Sequence, residues 1–222
     1  MHDTKEVSVR RILSAIVSGS ILLAAMTCIA QDVNEKRTTE ESRKQLLANF
    51  EFSPLSTTPE DAMLLRILIQ ARNAQRGIEV GSALGFGSVN MGIGFERTGG
   101  HLYTIDIDLN MVKKCRENVE KAGLSKTVTC IEGDALKVLP TLEGEYDFMF
   151  IDALKKDYFK YLKAVEPKLK PGAVIVADNT IKSAAQMQDF LDYVNNSPDY
   201  EAVTLRASEK KHDGMTIAVK KK

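Results

Sequence analysis

Four residues near the middle of the chain carry the strongest chemical signal. Phe150-Ile151-Asp152-Ala153-Leu154-Lys155 sets an acid and a lysine just past one apolar run, and Val176-Ala177-Asp178-Asn179 sets an acid and an amide past the next. Asp152, Asp178 and Asn179 offer three oxygen donors, a hard set that suits Mg²⁺ first, with Ca²⁺ or Mn²⁺ as alternatives, rather than zinc. Three protein ligands leave coordination positions for water or for two oxygens of a substrate, which is a catalytic arrangement. Taken singly, Asp152 also reads as a helix cap and Asp178-Asn179 as the start of a turn; both at adjacent strand ends favour the ion. Lys155 reads either as a base beside that ion or as a solvated lysine.

Three further stretches suit a nucleoside. Ile78-Glu79-Val80-Gly81-Ser82-Ala83-Leu84-Gly85-Phe86-Gly87 is an apolar run entering a Gly-rich turn, where missing side chains let backbone approach a ligand. The spacing is not G-x-G-x-x-G, and G-x-x-x-x-G-K-[ST] does not occur, so a tight structural turn is an equal reading. Asp106, about twenty residues past Gly85, closes the next run where a carboxylate can accept from both ribose hydroxyls. Gly133-Asp134-Ala135 closes the third, suited to an adenine edge. Together they indicate adenosine without a pyrophosphate clamp.

The elements that must hold these residues follow from hydrophobic pattern. Ile78–Val80, Leu102–Ile105, Val128–Ile131, Phe148–Ile151 and Val174–Ala177 are short apolar runs without polar alternation, as expected of parallel strands covered on both faces. Between them, Met111, Val112, Cys115 and Val119 keep helical spacing, as do Tyr158, Leu162, Val165 and Leu169, and then Met187, Phe190, Leu191 and Val194. Thr58-Pro59-Glu60 is a helix start, and a charged helix is expected from Asn34 to about Ala48. Repeated strand and helix predict an α/β, Rossmann-like, doubly wound sheet of seven strands, mostly parallel, with helices on both faces. Glu201–Leu205 and Met215–Val219 have no helix between them, so the last strand must run reversed if the two are neighbours.

Composition bounds the partners. The 222 residues carry 30 Lys plus Arg against 30 Asp plus Glu, so no net field gathers phosphate backbones, and nucleic acid is not expected as a partner. Cys28, Cys115 and Cys130 have no C-x-x-C spacing and His2, His101 and His212 are scattered; the cysteines read as small buried hydrophobes, with a Cys115–Cys130 bridge conceivable in an exported protein. Lys5, Arg10 and Arg11 precede an uncharged run from Ile12 to Ile29, with Cys28 and Ala30 at the small positions of a cleavage site. Residues 1–30 are therefore expected to be a signal peptide or membrane anchor contacting the bilayer through 12–29, residues 31–52 a linker and lead-in helix, and 53–222 the working domain. That makes the protein exported or membrane-anchored, or cytoplasmic if the true start lies later or the anchor faces inward; Lys36, Arg37, Arg43 and Lys44 balance the earlier basic residues, so orientation stays open.

From about Ser53 onward the sequence resembles the cation-dependent class I S-adenosylmethionine O-methyltransferases, the catechol and caffeoyl-CoA O-methyltransferase family. The likeness rests on Thr57-Thr58-Pro59-Glu60, the I-E-V-G turn, Thr104-Ile105-Asp106, Gly133-Asp134-Ala135, F-I-D-A-x-K, V-A-D-N and His212-Asp213-Gly214-Met215. It implies that Thr57, Glu79, Gly81, Ser82, Asp106 and Ala135 line the S-adenosylmethionine site, to which the reading of the turn and strand end above adds Gly85 and Asp134, that Asp152, Asp178 and Asn179 hold the divalent ion, and that Lys155 with Asp152 serves catalysis at the acceptor hydroxyl. It further implies a small hydroxylated acceptor with two vicinal oxygens, and a homodimer. Three departures stand out: Leu154 replaces a second acid, Gly87 stands where the family commonly has Ser, and Thr180-Ile181-Lys182-Ser183 passes straight into a helix where the family carries a long substrate loop. Rival expectations are a non-catalytic S-adenosylmethionine-binding protein, exported or at a membrane, and a dehydrogenase, which the missing pyrophosphate turn disfavours.

Overall fold

The structure, a computed structural model, describes residues 39–208 and 211–222, with Ser208 as backbone alone. The chain divides into two compact units, Met1–Ala48 and Asn49–Lys222. Of the first, residues 39–48 are described and are helical (α1). The expected leader at 1–30 lies outside the described residues. Among the described residues no helix is long and apolar enough to cross a membrane. The longest helix of the second unit, α2 (Pro59–Arg72), has 14 residues, against about 20 needed to span a bilayer. The expectation of an exported or membrane-anchored protein is corrected on that finding.

In the second unit β1 (Arg76–Val80), β2 (His101–Asp106), β3 (Val128–Glu132), β4 (Tyr146–Ile151) and β5 (Leu169–Ala177) run parallel. After α7 (Gln188–Asn196) come β6 (Tyr200–Ser208) and β7 (Asp213–Lys220), and β7 pairs antiparallel with both β5 and β6. The order is β3-β2-β1-β4-β5-β7-β6, so the predicted sheet and its reversed strand are both present. The strands alternate their faces. Ile78, Val80, Met149, Ile151 and Ile175 join a core with Tyr158, Leu162 and Val165 of α6 (Tyr158–Val165) and Phe190 and Val194 of α7. Phe148 points the other way, meeting Phe95 of α3 (Phe86–Thr98) edge to face with ring centroids 6.1 Å apart. Each such fully buried apolar side chain contributes about 1.5–3 kcal/mol. α4 (Leu109–Lys121) and the single turn α5 (Ala135–Val138) complete the crossovers.

Two local expectations change. Leu169 continues the helical spacing of Tyr158, Leu162 and Val165, yet it opens β5. Pro167 cannot continue an α-helix, and Glu166–Lys168 tighten into a 3₁₀ turn after Val165. The segment after Asn179 is not directly helical either: it passes through turns and the 3₁₀ turn Ala184–Gln186 before α7 begins.

Candidate active site

Register places the acids. In parallel strands Val80 is opposite both Ile105 and Ile151, and Ile151 is opposite Ala177. The next residue of each strand extends its ladder by one bond: Asp152 donates its N–H to Val80 O at 2.9 Å, Asp178 to Ile151 O at 3.0 Å, and Gly81 to Ile105 O at 2.8 Å. Asp152 and Asp178 thus leave neighbouring strands side by side, separated by roughly the 4.8 Å strand spacing. Gly81 lies against Asp152 so closely that an added Cβ would sit 2.1 Å from Asp152 O, and its φ of 96° is one that favours glycine.

These strand ends open into one cavity of about 860 Å³. Of the residues predicted from sequence, Gly81, Asp106, Asp134, Ala135, Asp152, Lys155 and Asn179 line it. Thr57, Glu79, Ser82, Gly85 and Asp178 are buried and do not.

The nucleoside side is tightly bonded. Asp106 Oδ2 accepts from the N–H groups of Ser82 at 2.9 Å and Ala83 at 3.0 Å, while Oδ1 accepts from Asp108 N at 3.0 Å. Its carboxylate therefore fixes the turn after β1 as well as facing the cavity. Asp134 Oδ1 caps α5 through Leu136 N at 3.0 Å. Behind the turn Ser88 Oγ donates to Glu79 Oε2. Burial, with Cys115 nearby, pushes Glu79 up to about 8. Gly87 makes that packing possible: a Cβ there would lie 2.9 Å from Glu79 Oε1 and 3.0 Å from Thr57 Oγ1. The neighbouring Ser88 supplies the hydroxyl that meets Glu79.

The β4–β5 side is under strain of charge. Asp178 is 1% exposed; its Oδ1 accepts from Asn179 N at 2.7 Å, and its Oδ2 has no partner. Burial first, then the Asp152 and Asp61 carboxylates, push Asp178 up to about 7. Asn179 adopts φ 60°, a left-handed conformation that Asn tolerates. Lys155 Nζ donates to Asp152 Oδ1 and to Tyr158 Oη, both at 2.9 Å. Burial, then the Asp152 and Asp178 charges, hold the Tyr158 phenol well above its usual range, so it stays protonated and donates to Asp178 O at 3.3 Å.

A buried carboxylate oxygen with no donor is costly unless a cation meets it. Asp178 Oδ2 beside Asp152 therefore fits a divalent ion, and the all-oxygen donor set fits a hard one. Among the described residues no three His, Cys, Asp or Glu side chains are grouped so as to hold a metal ion.

Sequence reasoning missed three contributors. Asp61 is fully buried in the first turn of α2; Thr58 Oγ1 donates to its Oδ2 at 2.6 Å and its Oδ1 has no partner. In the sequence it is one more acid after Thr58-Pro59-Glu60, favourable near the positive end of a helix and not marked as buried. Tyr158 was read only as a core position, though it stands three residues past Lys155. Asp213 Oδ1 accepts from Ile181 N at 3.1 Å, Lys182 N at 3.0 Å and Gly214 N at 2.8 Å, pinning the short segment after Asn179 to the start of β7.

A family model described as O-methyltransferase matches residues 29–197. The chain belongs to the O-methyltransferase family. It is an S-adenosylmethionine-dependent methyltransferase by that membership. It is 27% identical over 192 residues to a catechol O-methyltransferase of Niastella koreensis, covering 79% of this chain and 86% of the relative. A catechol O-methyltransferase of Mycobacterium tuberculosis is 29% identical over 157 residues, covering 70% and 68%. Among solved structures, the O-methyltransferase from Bacillus cereus in complex with SAH superposes with a TM-score of 0.72 at 25% identity, covering 83% of this chain and 91% of that one.

Proposed function

We propose that residues 53–222 transfer the methyl group of S-adenosylmethionine to one of two vicinal oxygens of a small hydroxylated ring, assisted by Mg²⁺ or a similar ion. The observation that carries this reading is Asp178 Oδ2, buried and unpartnered at the strand end next to Asp152. The donor-side residues Gly81, Asp106, Asp134 and Ala135 share a cavity with Asp152, Lys155 and Asn179, so both reactants can meet there. Leu55, Ile107 and Leu154 line that cavity and are 65%, 74% and 54% exposed, an apolar rim suited to the faces of a ring. Neither the fold nor the relatives support the non-catalytic alternative.

The chain's own residues divide the work. An ion held by Asp152, Asp178 and Asn179 would favour the oxyanion of the acceptor, whose phenolic pKa is about 10 in water. Lys155, held by Asp152 and Tyr158 at the cavity wall, is the base placed to take the hydroxyl proton, a step that needs its amine neutral beforehand. The turn Gly81–Ala83, fixed by Asp106, would hold the methyl donor, and orientation of the reacting groups can supply roughly 7–11 kcal/mol of such a barrier. A homodimer belongs to the same reading and is checked by light scattering.

The test is methyl transfer from labelled donor to catechol, with Mg²⁺ and with a chelator, beside calorimetry of donor binding. The donor binds under both conditions and product needs the ion. Undiminished product in chelator, and in Asp178→Asn, overturns the proposal.

A further inference from the structure

We propose that Cys115 and Cys130 are a reversible disulfide site that ties α4 to the edge strand β3 behind the donor-binding turn. Both are free thiols in this structure, with Sγ atoms 3.6 Å apart. They come from elements whose backbones are independently fixed. Cys115 faces inward from α4 with Val112 and Val119, and Cys130 lies opposite Thr104 in the β2–β3 register. Contact between the sulfurs is thus a property of the fold, and closing to a bond of about 2.05 Å needs side-chain rotation more than backbone movement.

The two thiols are unequal in the way that exchange requires. Cys130 is partly exposed on β3, which has a neighbour on one side only, and Arg116 reaches its carbonyl at 3.1 Å. Cys115 is fully buried. The contact with Cys115 first, and the Arg116 charge as well, lower the Cys130 thiol, whereas that contact and burial raise Cys115. Cys130 is therefore the entry point for a low-molecular-weight disulfide such as oxidised glutathione. Its thiolate attacks one sulfur of that disulfide, forming a mixed disulfide and expelling one thiolate, which picks up a proton. Cys115 then loses its proton to solvent and attacks Cys130 Sγ, expelling the second small thiolate. Two protein thiols are oxidised to one disulfide, and one small disulfide is reduced to two thiols.

The position gives the bond a consequence. Cys115 Sγ donates to Ser88 Oγ at 3.4 Å, and Ser88 in turn donates to Glu79. Gly85, at φ 89°, has room for no side chain because a Cβ would lie 2.9 Å from Cys115 Cα and 2.9 Å from its Sγ. Drawing Cys115 Sγ toward Cys130 removes it from Ser88 and loosens the wall behind the turn. Only this affinity effect rests on the methyl-transfer reading; the disulfide does not.

The full chain is equilibrated in glutathione buffers of increasing oxidised fraction, alkylated and mapped by mass spectrometry, which also separates Cys28. The expected product is a Cys115–Cys130 peptide about 2 Da lighter than its reduced parts. Its 15-residue spacing predicts a rise of about 5–10 °C in melting temperature, reversed by dithiothreitol and absent in Cys130→Ser and Cys115→Ser. S-adenosylmethionine affinity falls about three- to tenfold on oxidation in the wild type alone. Continued alkylation of both cysteines in every buffer, or glutathione retained on Cys130 without closure, overturns the proposal. Closure with unchanged donor affinity overturns the link to Ser88 and leaves the bond standing.

Discussion

The two halves of the cavity treat their carboxylates in opposite ways. On the donor half Asp106 accepts from three backbone N–H groups, Asp134 caps a helix and Glu79 is bonded to Ser88. On the acceptor half Asp178 keeps one buried oxygen without any donor, and Asp61 keeps another. In the first half Asp106 and Asp134 are already met by backbone donors, which on the proposed reading would leave a preformed seat for the adenosine part of the donor. The second is electrostatically incomplete, because carboxylates crowded at low dielectric repel one another until a cation or a proton joins them. On the function proposed above, preorganisation by hydrogen bonds would serve recognition, and unresolved charge would serve chemistry.

If that contrast holds, damage to the acceptor half costs turnover and damage to the donor half costs affinity. The largest effect is expected for Asp152→Ala, which should lower turnover roughly a thousandfold, a loss of several kcal/mol of charge stabilisation, with donor affinity changed less than threefold in calorimetry. Comparable loss of donor binding would erase the contrast. Lys155→Met should follow, costing about a hundredfold in kcat as expected for removal of a general base, with wild-type affinity for donor and for Mg²⁺. Gly87→Ser probes the other half. Its side chain would press on Glu79 and Thr57, and about 1–3 kcal/mol of overpacking should appear as a roughly tenfold weaker donor Kd while saturated turnover stays near wild type.

The gentlest probe is pH. Asp178 is raised to about 7, far above an ordinary carboxylate, so its protonated form stabilises the ion-free fold and that contribution is lost as pH rises through about 7. An incoming cation must displace the same proton. Mg²⁺ affinity measured by calorimetry should therefore climb by up to about tenfold per pH unit below 7 and level off above it. Asp178→Asn should flatten both trends; a flat wild-type profile would show that the charges are already balanced.

Much of this was legible in the sequence because strand ends advertise themselves. Asp106, Asp152 and Asp178 each close an unbroken apolar run, and in a parallel sheet such positions gather on one edge whatever the distance along the chain. The reversed β7 was legible for a similar reason, since no helix separates it from β6. What escaped depends on three-dimensional packing. Leu169 kept helical spacing past Pro167 because the hydrophobic period does not register where the backbone must turn. Asp61 looked like one more first-turn acid, and nothing in T-P-E-D says that its second oxygen is sealed from water. Asp213 stood in a recognised motif, but three amides converging on one oxygen become visible only once residues 181–182 and 213–214 are side by side.

β7 lies between β5 and β6, although it follows both in the chain. The turn after β1 is bonded to Asp106 without any residue of β7. The wall that steadies residues 180–183 arrives only with the final strand, through the amides bound by Asp213. A truncation before Asp213 would strip the amides of Ile181 and Lys182 of their acceptor and bare the edge of β5 to solvent.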